Sequence, residues 1–294
     1  MIHDPLSYPE IYDIQLNLQF LARSPKELLH RFTDGKIFKL LRIESQLYLV
    51  SVEPSSEGLN VAYHYGSPDA HHRAEILHYI VEWLDLTKDL SSFYTIAERS
   101  SVMRKLVAKY RGYRIIGMPD LYESLSWAII GQQINLSFAF TLKQRLVETF
   151  GDHIIHEDQR YYVFPRPEVI AALTAERLIA LQFSRQKAAY LLNVAKAFVD
   201  SVLSQEKIAR LPFQEANEEL QRIKGIGNWT ANYALMKTFR FPNAFPLEDA
   251  GLHNAIRNLH KLKAKPSIEH VRKIFRQFKG WEAYATLYYW KSLA

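Results

Sequence analysis

The spacing of apolar residues changes near residue 100, and this change constrains the fold more than any other feature of the chain. Before it, apolar and β-branched residues recur at every second position, as in strands that bury one face. Beyond it, they recur at every third and fourth position, as in amphipathic helices. The sequence therefore predicts a mainly α fold, with an N-terminal antiparallel α+β domain over residues 1–99 and a helical region of two subdomains over residues 100–294.

The same periodicities predict the individual elements. Strands are predicted at residues 11–20, 37–43, 46–52 and 59–65. Helices are predicted at residues 26–32, 71–86, 101–111, 120–134, 137–150, 175–181, 185–203, 214–223 and 250–260. Asp34-Gly35 marks a turn, residues 55–58 a loop, and Gly151 the end of a helix.

The composition excludes several classes of protein. The chain has 294 residues, of which 48% are apolar, and no run of 18 apolar residues that could span a membrane. Its first ten residues do not resemble a signal peptide, so we expect a cytoplasmic protein. Because the chain has no cysteine, disulfides, thiolate zinc sites, cysteine nucleophiles and cysteine-ligated iron–sulfur clusters are excluded.

Charge is unevenly distributed along the chain. Residues 1–100 carry a net charge of −5, whereas residues 101–294 carry +11. A basic C-terminal two-thirds is compatible with a polyanionic partner, and equally with a solvated basic surface.

The most informative motif lies at about residues 215–240, where two predicted helices flank Gly225-Ile226-Gly227. Both glycines permit positive φ and a close approach of the backbone to a ligand. The Ile226 side chain can pack between the helices, so that the turn amides point outward as an anion site beside Lys224. The alternative is a helix that simply ends at a glycine.

This motif and a second one, Phe245-Pro-Leu-Glu-Asp-Ala-Gly-Leu252, together resemble the helix–hairpin–helix (HhH-GPD) DNA glycosylase superfamily, in its alkylation-repair, DNA-3-methyladenine glycosylase II branch. The resemblance covers residues 100–294, and the N-terminal domain matches only in architecture. It implies a catalytic aspartate at Asp249, with Glu248 as the competing carboxylate. It also implies that double-stranded DNA containing damaged bases is the partner, bound in part by Lys224, Gly225, Ile226, Gly227 and Thr230.

Asp249 has two interpretations. As the residue before the predicted helix at residues 250–260, it can be an N-cap. As the aspartate implied by the resemblance, it would stabilise the positive charge that develops on the sugar when the bond to the base breaks, and it could orient or deprotonate the attacking water.

Aromatic and polar residues complete the predicted site. The resemblance places Trp229, Tyr233 and Trp290 around the flipped base, where electron-rich rings would stack on a cationic purine; the alternative is core packing. Residues 128–135 match a helix end that these enzymes place against the minor groove. There Gln133 would be the wedge that fills the gap left by the base, flanked by Gln132 and Ile134. A capped helix end with exposed amides is the alternative.

Lyase members of the superfamily carry a lysine shortly after the hairpin glycines, which forms a Schiff base with the sugar. Trp229 occupies that place, so the resemblance implies a monofunctional enzyme in which water is the nucleophile. We expect a monomer without a metal or other cofactor, apart from a monovalent cation that the hairpin carbonyls could hold. Two alternatives remain: a glycosylase for oxidised or deaminated bases, and a non-catalytic helix–hairpin–helix DNA-binding protein.

Overall fold

A computed structural model describes residues 3–56 and 58–294 of the chain. Met1, Ile2 and Glu57 lie outside the described residues, and so does part of the loop predicted at residues 55–58. In the described part no helix is long and apolar enough to cross a membrane.

The N-terminal region contains a five-stranded antiparallel sheet with the strand order β1-β5-β4-β3-β2. Its strands are β1 (His3–Leu6), β2 (Arg31–Thr33), β3 (Lys36–Ile43), β4 (Gln46–Pro54) and β5 (Leu59–Tyr65). Three of the predicted strands are confirmed as β3, β4 and β5. The predicted turn joins β2 to β3, where Asp34 and Gly35 both have positive φ, as a tight two-residue hairpin requires.

Helices make up most of the remaining described chain, together with the two-stranded hairpin β6 (His153–His156) and β7 (Gln159–Tyr162). The α-helices are α1 (Ile14–Leu21), α2 (Ala70–Leu84), α3 (Ser91–Ala97), α4 (Ser101–Tyr110), α5 (Leu121–Gly131), α6 (Leu136–Phe150), α7 (Pro167–Ala171), α8 (Ala175–Ile179), α9 (Arg185–Val199), α10 (Gln205–Ala209), α11 (Phe213–Gln221), α12 (Asn228–Thr238), α13 (Ala250–Leu259), α14 (Ile268–Phe275) and α15 (Glu282–Lys291). The mainly α fold with an N-terminal antiparallel sheet is thus confirmed.

The strand predicted at residues 11–20 is wrong, because Ile14–Leu21 forms α1. The side chain of Asp13 accepts the Leu16 N–H at 2.9 Å and caps the helix. Asn17 is fully buried, and its amide donates to the Gly112 carbonyl at 3.1 Å. The spacing of apolar residues here fits the period of a strand and also that of a helix. The Asp13 cap and the long-range bond from Asn17 favour the helix.

The short helix predicted at residues 26–32 is also wrong: this segment turns and then enters β2. Glu27 explains the difference, because its carboxylate accepts the Leu29 N–H at 2.9 Å and pairs with Lys143 of α6 at 3.0 Å. Burial is the largest single influence on the pKa of Glu27 and raises it. Lys143, His30 and the Leu29 N–H together outweigh burial, however, and the pKa falls to about 2. A contact distant in sequence therefore overrides the local Ser-Pro signal.

The apolar core has two main parts. One lies between the sheet and α2, and it includes Val50, Val61 and Ile80. The other fills the helical region and already includes Leu90 and Phe93, which precede residue 100. The domain boundary at residue 99 therefore stays a prediction, since α3 packs with the helical core.

Buried charges connect the sheet region to the helical region. Arg240, which follows α12, pairs with Glu82 of α2 and lies 3.5 Å from Asp85. The Tyr284 hydroxyl of α15 donates to Asp85 at 2.8 Å. Burial raises the pKa of Asp85 to about 6, although Arg240 acts in the opposite direction. These contacts fix the N-terminal region against the helices that carry the candidate site.

Candidate active site

The predicted helix–hairpin–helix is present, with α11 and α12 flanking the glycine turn. Gly225 has a φ of +111°, so this position requires glycine. Gly227, in contrast, is extended at φ −92°, and a side chain there would meet open space. The Ile226 side chain is 4% exposed, so it packs inward as predicted, whereas Gly227 beside it is exposed.

The N-terminus of α12 is open. Among the described residues no side chain caps it, and its N-cap position is Gly227. Its first-turn amides therefore point outward as donors for an anion. Lys224 lies beside them with an exposed side chain. This arrangement suits a phosphate group and carries no information about base sequence.

A cleft of about 660 Å³ separates this turn from the end of α5. It is lined by Gln132, Gln133, Ile134, Ser184, Gln186, Lys187, Tyr190, Gly225, Ile226 and Gly227. The cleft thus brings together six of the eight residues predicted to bind DNA, and it adds the first turn of α9, which the sequence did not indicate.

Gln132 links the two sides of the cleft. Its side-chain amide donates to the Gly225 carbonyl at 3.2 Å and to the Thr230 hydroxyl at 3.0 Å. Thr230 is only 2% exposed, so its side chain supports Gln132 and offers almost no surface for a direct DNA contact. The low exposure of Thr230 argues against a direct contact with DNA, and this contact stays a prediction.

The predicted wedge lies at the tip of the α5–α6 connection. Gln133 is exposed there with a φ of +55°, and Ile134 is partly buried against the helical core. Leu136, in the first turn of α6, is 56% exposed. Its exposure makes Leu136 an apolar candidate, in addition to Gln133, for contact with the base stack. The sequence does not single out Leu136, because it predicts that α6 begins one residue later.

Asp249 caps α13, since its Oδ1 accepts the Leu252 N–H at 2.7 Å. The cap is nevertheless not its only contact. The Trp290 indole N–H also donates to Oδ1 at 2.7 Å, and the Trp229 indole N–H donates to Oδ2 at 3.0 Å. Asp249 is partly exposed, so a half-buried, fixed carboxylate faces the aromatic residues.

The three predicted pocket aromatics lie together. Trp229 stacks on Tyr233 with ring centroids 5.5 Å apart, and Tyr233 lies 6.3 Å from Trp290. Burial raises the pKa of Tyr233 to about 12, so its hydroxyl stays neutral. Glu248, the competing carboxylate, is exposed and instead accepts from the Asn228 side-chain amide at 2.9 Å.

Sequence reasoning missed the residues that support this arrangement. The Trp127 indole donates to the Tyr233 hydroxyl at 3.1 Å. The side-chain Oδ1 of Asn232 accepts the Phe245 N–H at 2.8 Å, and His253 Nε2 lies 2.8 Å from the backbone carbonyl oxygen of Leu247. Asn232 and His253 thus hold the loop that precedes Asp249. The sequence signal for this support is Asn232 itself, because an asparagine in the interior of a helix often has a specific hydrogen-bonding role.

Lys187 was also missed, although it lines the cleft. Its side chain is 8% exposed and its ammonium donates to the Ile130 carbonyl near the end of α5. Burial lowers the pKa of Lys187 to about 8. This ammonium fixes the start of α9 against the segment that carries Gln132 and Gln133.

Within the described residues, no three His, Cys, Asp or Glu side chains lie close enough to hold a metal ion. The hairpin carbonyls of Lys224 and Gly225 accept side-chain amides of Asn193 and Gln132. Each oxygen keeps a second lone pair, and the monovalent cation at the hairpin stays a prediction.

Two family models match consecutive parts of the chain. Residues 126–280 match the model of the HhH-GPD superfamily of base excision DNA repair proteins, and residues 22–125 match that of the 8-oxoguanine DNA glycosylase N-terminal domain. The chain is 38% identical to a DNA-3-methyladenine glycosylase of Bacillus subtilis, over 98% of this chain and 96% of the relative.

Two solved structures show how much of the fold is shared. A 3-methyladenine DNA glycosylase from Archaeoglobus fulgidus superimposes with a TM-score of 0.84 at 25% identity, covering 99% of this chain and 97% of the other. An 8-oxoguanine glycosylase/lyase of Clostridium acetobutylicum, solved with double-stranded DNA, superimposes with a TM-score of 0.76 over 99% and 98% of the two chains. At 19% identity, the second likeness shows the fold alone. By its sequence motifs, its hairpin and its similarity over nearly the full length to a known relative, the chain belongs to the HhH-GPD superfamily of base excision DNA repair proteins.

Proposed function

We propose that this protein is a DNA N-glycosylase that flips alkylated purines of the 3-methyladenine type out of double-stranded DNA and hydrolyses the bond to the sugar, as the excision step of base excision repair. The observation that carries the proposal is Asp249, held between Trp229 and Trp290 next to Tyr233. The relative from Bacillus subtilis, with 38% identity and a name that specifies this substrate, supports it.

The chemistry follows from the charge of the substrate. An alkylated purine is already cationic, so it leaves without being protonated by an acid. Positive charge then moves onto the sugar, where a fixed carboxylate lowers the energy of the transition state. Asp249 would supply that carboxylate, and Trp229, Tyr233 and Trp290 would hold the cationic base by stacking.

DNA binding is assigned to the other half of the site. The open N-terminus of α12 and Lys224 would bind a phosphate, and Gln133, together with Leu136, would fill the gap in the base stack. The partner in this proposal is double-stranded DNA. A monomeric, cytoplasmic enzyme without a metal is part of the same proposal.

The test is to identify the bases released by the purified protein. Chromatography of the supernatant from methylated DNA should show 3-methyladenine, whereas uracil-containing and oxidised DNA should release little. The alternative that a specific observation favours is excision of oxidised purines, because the N-terminal residues match an 8-oxoguanine glycosylase domain. Release of 8-oxoguanine in preference to alkylated purines would replace our proposal with that alternative.

We further propose that the enzyme is monofunctional. A lyase needs an amine within reach of sugar C1′, and an indole occupies the place of the lyase lysine. Lys237 is the next lysine on α12, but it is 3% exposed and its ammonium donates into the interior, to the Ile116 carbonyl. Lys224 lies before the glycines on the outer side of the hairpin.

Borohydride added during turnover tests this point, because it would trap a Schiff base as a protein–DNA band on a denaturing gel. We expect no band and no strand cleavage without alkali. A trapped band that disappears in Lys224→Gln would contradict the monofunctional assignment and identify the amine.

A further inference from the structure

The carboxylate of Asp249 is held on both of its oxygens by indoles from two different helices. Trp229 of α12 donates to Oδ2 at 3.0 Å, and Trp290 of α15 donates to Oδ1 at 2.7 Å. The backbone N–H of Leu252 shares Oδ1 at 2.7 Å. A cap needs only this last bond, so the two indole contacts call for a separate explanation.

Gly251 lies next to the hydrogen-bonded carboxylate and leaves space beside it. A Cβ added to Gly251 would lie 3.0 Å from Asp249 Oδ1 and 3.6 Å from both Cδ1 and Nε1 of Trp290. Gly251 lies in the first turn of α13 and does not have a positive φ. Backbone conformation therefore does not require glycine here. The tight contact of an added Cβ would be with the carboxylate oxygen, whereas its distances to Trp290 are ordinary van der Waals contacts.

The direction of the indole N–H groups separates two roles for the tryptophans. Stacking on a base uses the face of a ring, and phenylalanine or tyrosine could also provide it. Donation to a carboxylate uses the indole nitrogen in the ring plane. A half-buried, ionised acceptor makes such bonds stronger than neutral ones. With a donor on each oxygen, the carboxylate group cannot rotate without breaking a bond.

We propose that Trp229 and Trp290 are positioning residues that orient the Asp249 carboxylate toward the sugar, in addition to any contact that they make with the base. The inference rests on the proposed function, since it gives Asp249 the task of stabilising positive charge on the sugar. Preorganised groups of this kind contribute because they need no reorientation as charge develops. The carboxylate therefore has its final orientation before the bond to the base breaks.

The test uses DNA that has no base at the site, so that stacking cannot contribute. One duplex carries a pyrrolidine in place of the sugar, which is cationic at neutral pH, and the other carries a neutral tetrahydrofuran. The ratio of the two affinities measures how well Asp249 stabilises positive charge at the sugar position. We expect the unmodified protein to prefer the cationic duplex, and Asp249→Asn to lose that preference.

Trp229→Phe and Trp290→Phe keep an aromatic ring and remove the donor. We expect each to reduce the preference roughly tenfold, the scale of one hydrogen bond to a charged group, while the affinity for the neutral duplex stays the same. Combined with Asp249→Asn, neither change should have a further effect, because both act through the carboxylate. Trp281→Phe is the matched control. Trp281 packs against Phe93 and Tyr284 and should leave the ratio unchanged.

Two results separate this inference from the proposed function. If Asp249→Asn keeps the preference for the cationic duplex, the carboxylate itself is wrongly assigned. If Asp249→Asn abolishes the preference but both phenylalanine variants retain it at the unmodified level, the tryptophans serve only as walls and the positioning role is wrong. Melting curves of each variant show whether it is folded, and the two tryptophan variants provide independent readings should one fail to fold.

Discussion

Helices α12 and α13 begin side by side at the candidate site, but their N-termini are built in opposite ways. The first turn of α12 follows Gly227 and has no side-chain cap among the described residues, so its amides face outward. The first turn of α13 is closed by Asp249, whose carboxylate also accepts two indole N–H groups. One helix end can thus receive an anion from outside, whereas the other holds an anion of its own.

The two helix ends suit two different functions, phosphate binding and stabilisation of positive charge. Phosphate binding needs backbone donors that are exposed and indifferent to sequence, and a glycine turn supplies them. Stabilising a cationic sugar, the role that we propose for Asp249, needs one carboxylate in a fixed orientation, and two indole N–H groups bond this carboxylate. Changes at the open end should therefore affect affinity, and changes at the closed end should affect the rate of excision.

The largest effect is expected at the closed end. Asp249→Asn should reduce single-turnover excision of an alkylated purine by roughly two orders of magnitude or more, because one preorganised charge is lost. The affinity for duplex DNA should stay, since phosphate contacts dominate it. Glu248→Gln is the matched control and should be mild, as Glu248 is exposed and bonded to Asn228. Near-normal excision by the asparagine variant would show that Asp249 is not the catalytic carboxylate.

The next effect is expected at the open end, where the two glycines differ. A side chain at Gly225 would place its Cβ 2.5 Å from the Tyr190 ring at a φ of +111°, so Gly225→Val should disrupt the turn itself. Gly227→Val meets open space and should leave the turn folded, but its side chain would stand where a phosphate approaches. We expect it to lower the affinity for all duplex sequences roughly tenfold and to reduce the salt dependence. Titrations at several salt concentrations measure both, and unchanged affinity would mean that the turn is only structural.

A smaller effect is expected from Gly251→Ala, which tests the packing around the carboxylate. The new Cβ would lie 3.0 Å from Asp249 Oδ1, so the carboxylate must shift by a few tenths of an ångström relative to the indole donors. A shift of this size should lower excision severalfold, because catalytic contacts depend on exact placement. Alanine at Gly131, where a Cβ meets nothing within 4 Å, is the control for a glycine replaced within a helix. Both rates are measured at saturating protein, because Gly131 adjoins the predicted DNA-binding residues. Equal rates for both variants would mean that the carboxylate tolerates displacement.

The smallest effect is expected when a rise in pH removes the charge of Lys187 in the cleft. Burial lowers the pKa of Lys187 to about 8, so its ammonium loses its proton as the pH rises through that value. The charge beside the turn and the bond to the Ile130 carbonyl then both weaken, and duplex affinity should fall a fewfold between pH 7 and 9, as expected for one cation near phosphates. Lys187→Met should bind more weakly at pH 7 and show a flatter profile. The same pH dependence in that variant would place the titrating group elsewhere.

The sequence predicted some parts of this molecule well and others wrongly, for identifiable reasons. Strands β3 to β5 and the hairpin glycines carry local signals, so they could be predicted. Residues 14–21 and 26–32 could not, because Asn17 bonds Gly112 and Glu27 pairs with Lys143, both far away in sequence. In the site, Trp229 and Trp290 could be listed as pocket residues from the resemblance. Their bonds to Asp249 depend on how α12, α13 and α15 pack, which no local pattern encodes.

DNA binding is assigned to the start of α12 and the chemistry to the start of α13, and both can be measured on one substrate. Duplex affinity and single-turnover excision at saturating protein are measured on the same alkylated duplex for Asp249→Asn and Gly227→Val. We expect Asp249→Asn to keep the affinity and lose the rate, whereas Gly227→Val should lose affinity and keep the rate. If each variant lost affinity and rate together, the two helix ends would act as one unit, and the assignment of separate roles to them would be wrong.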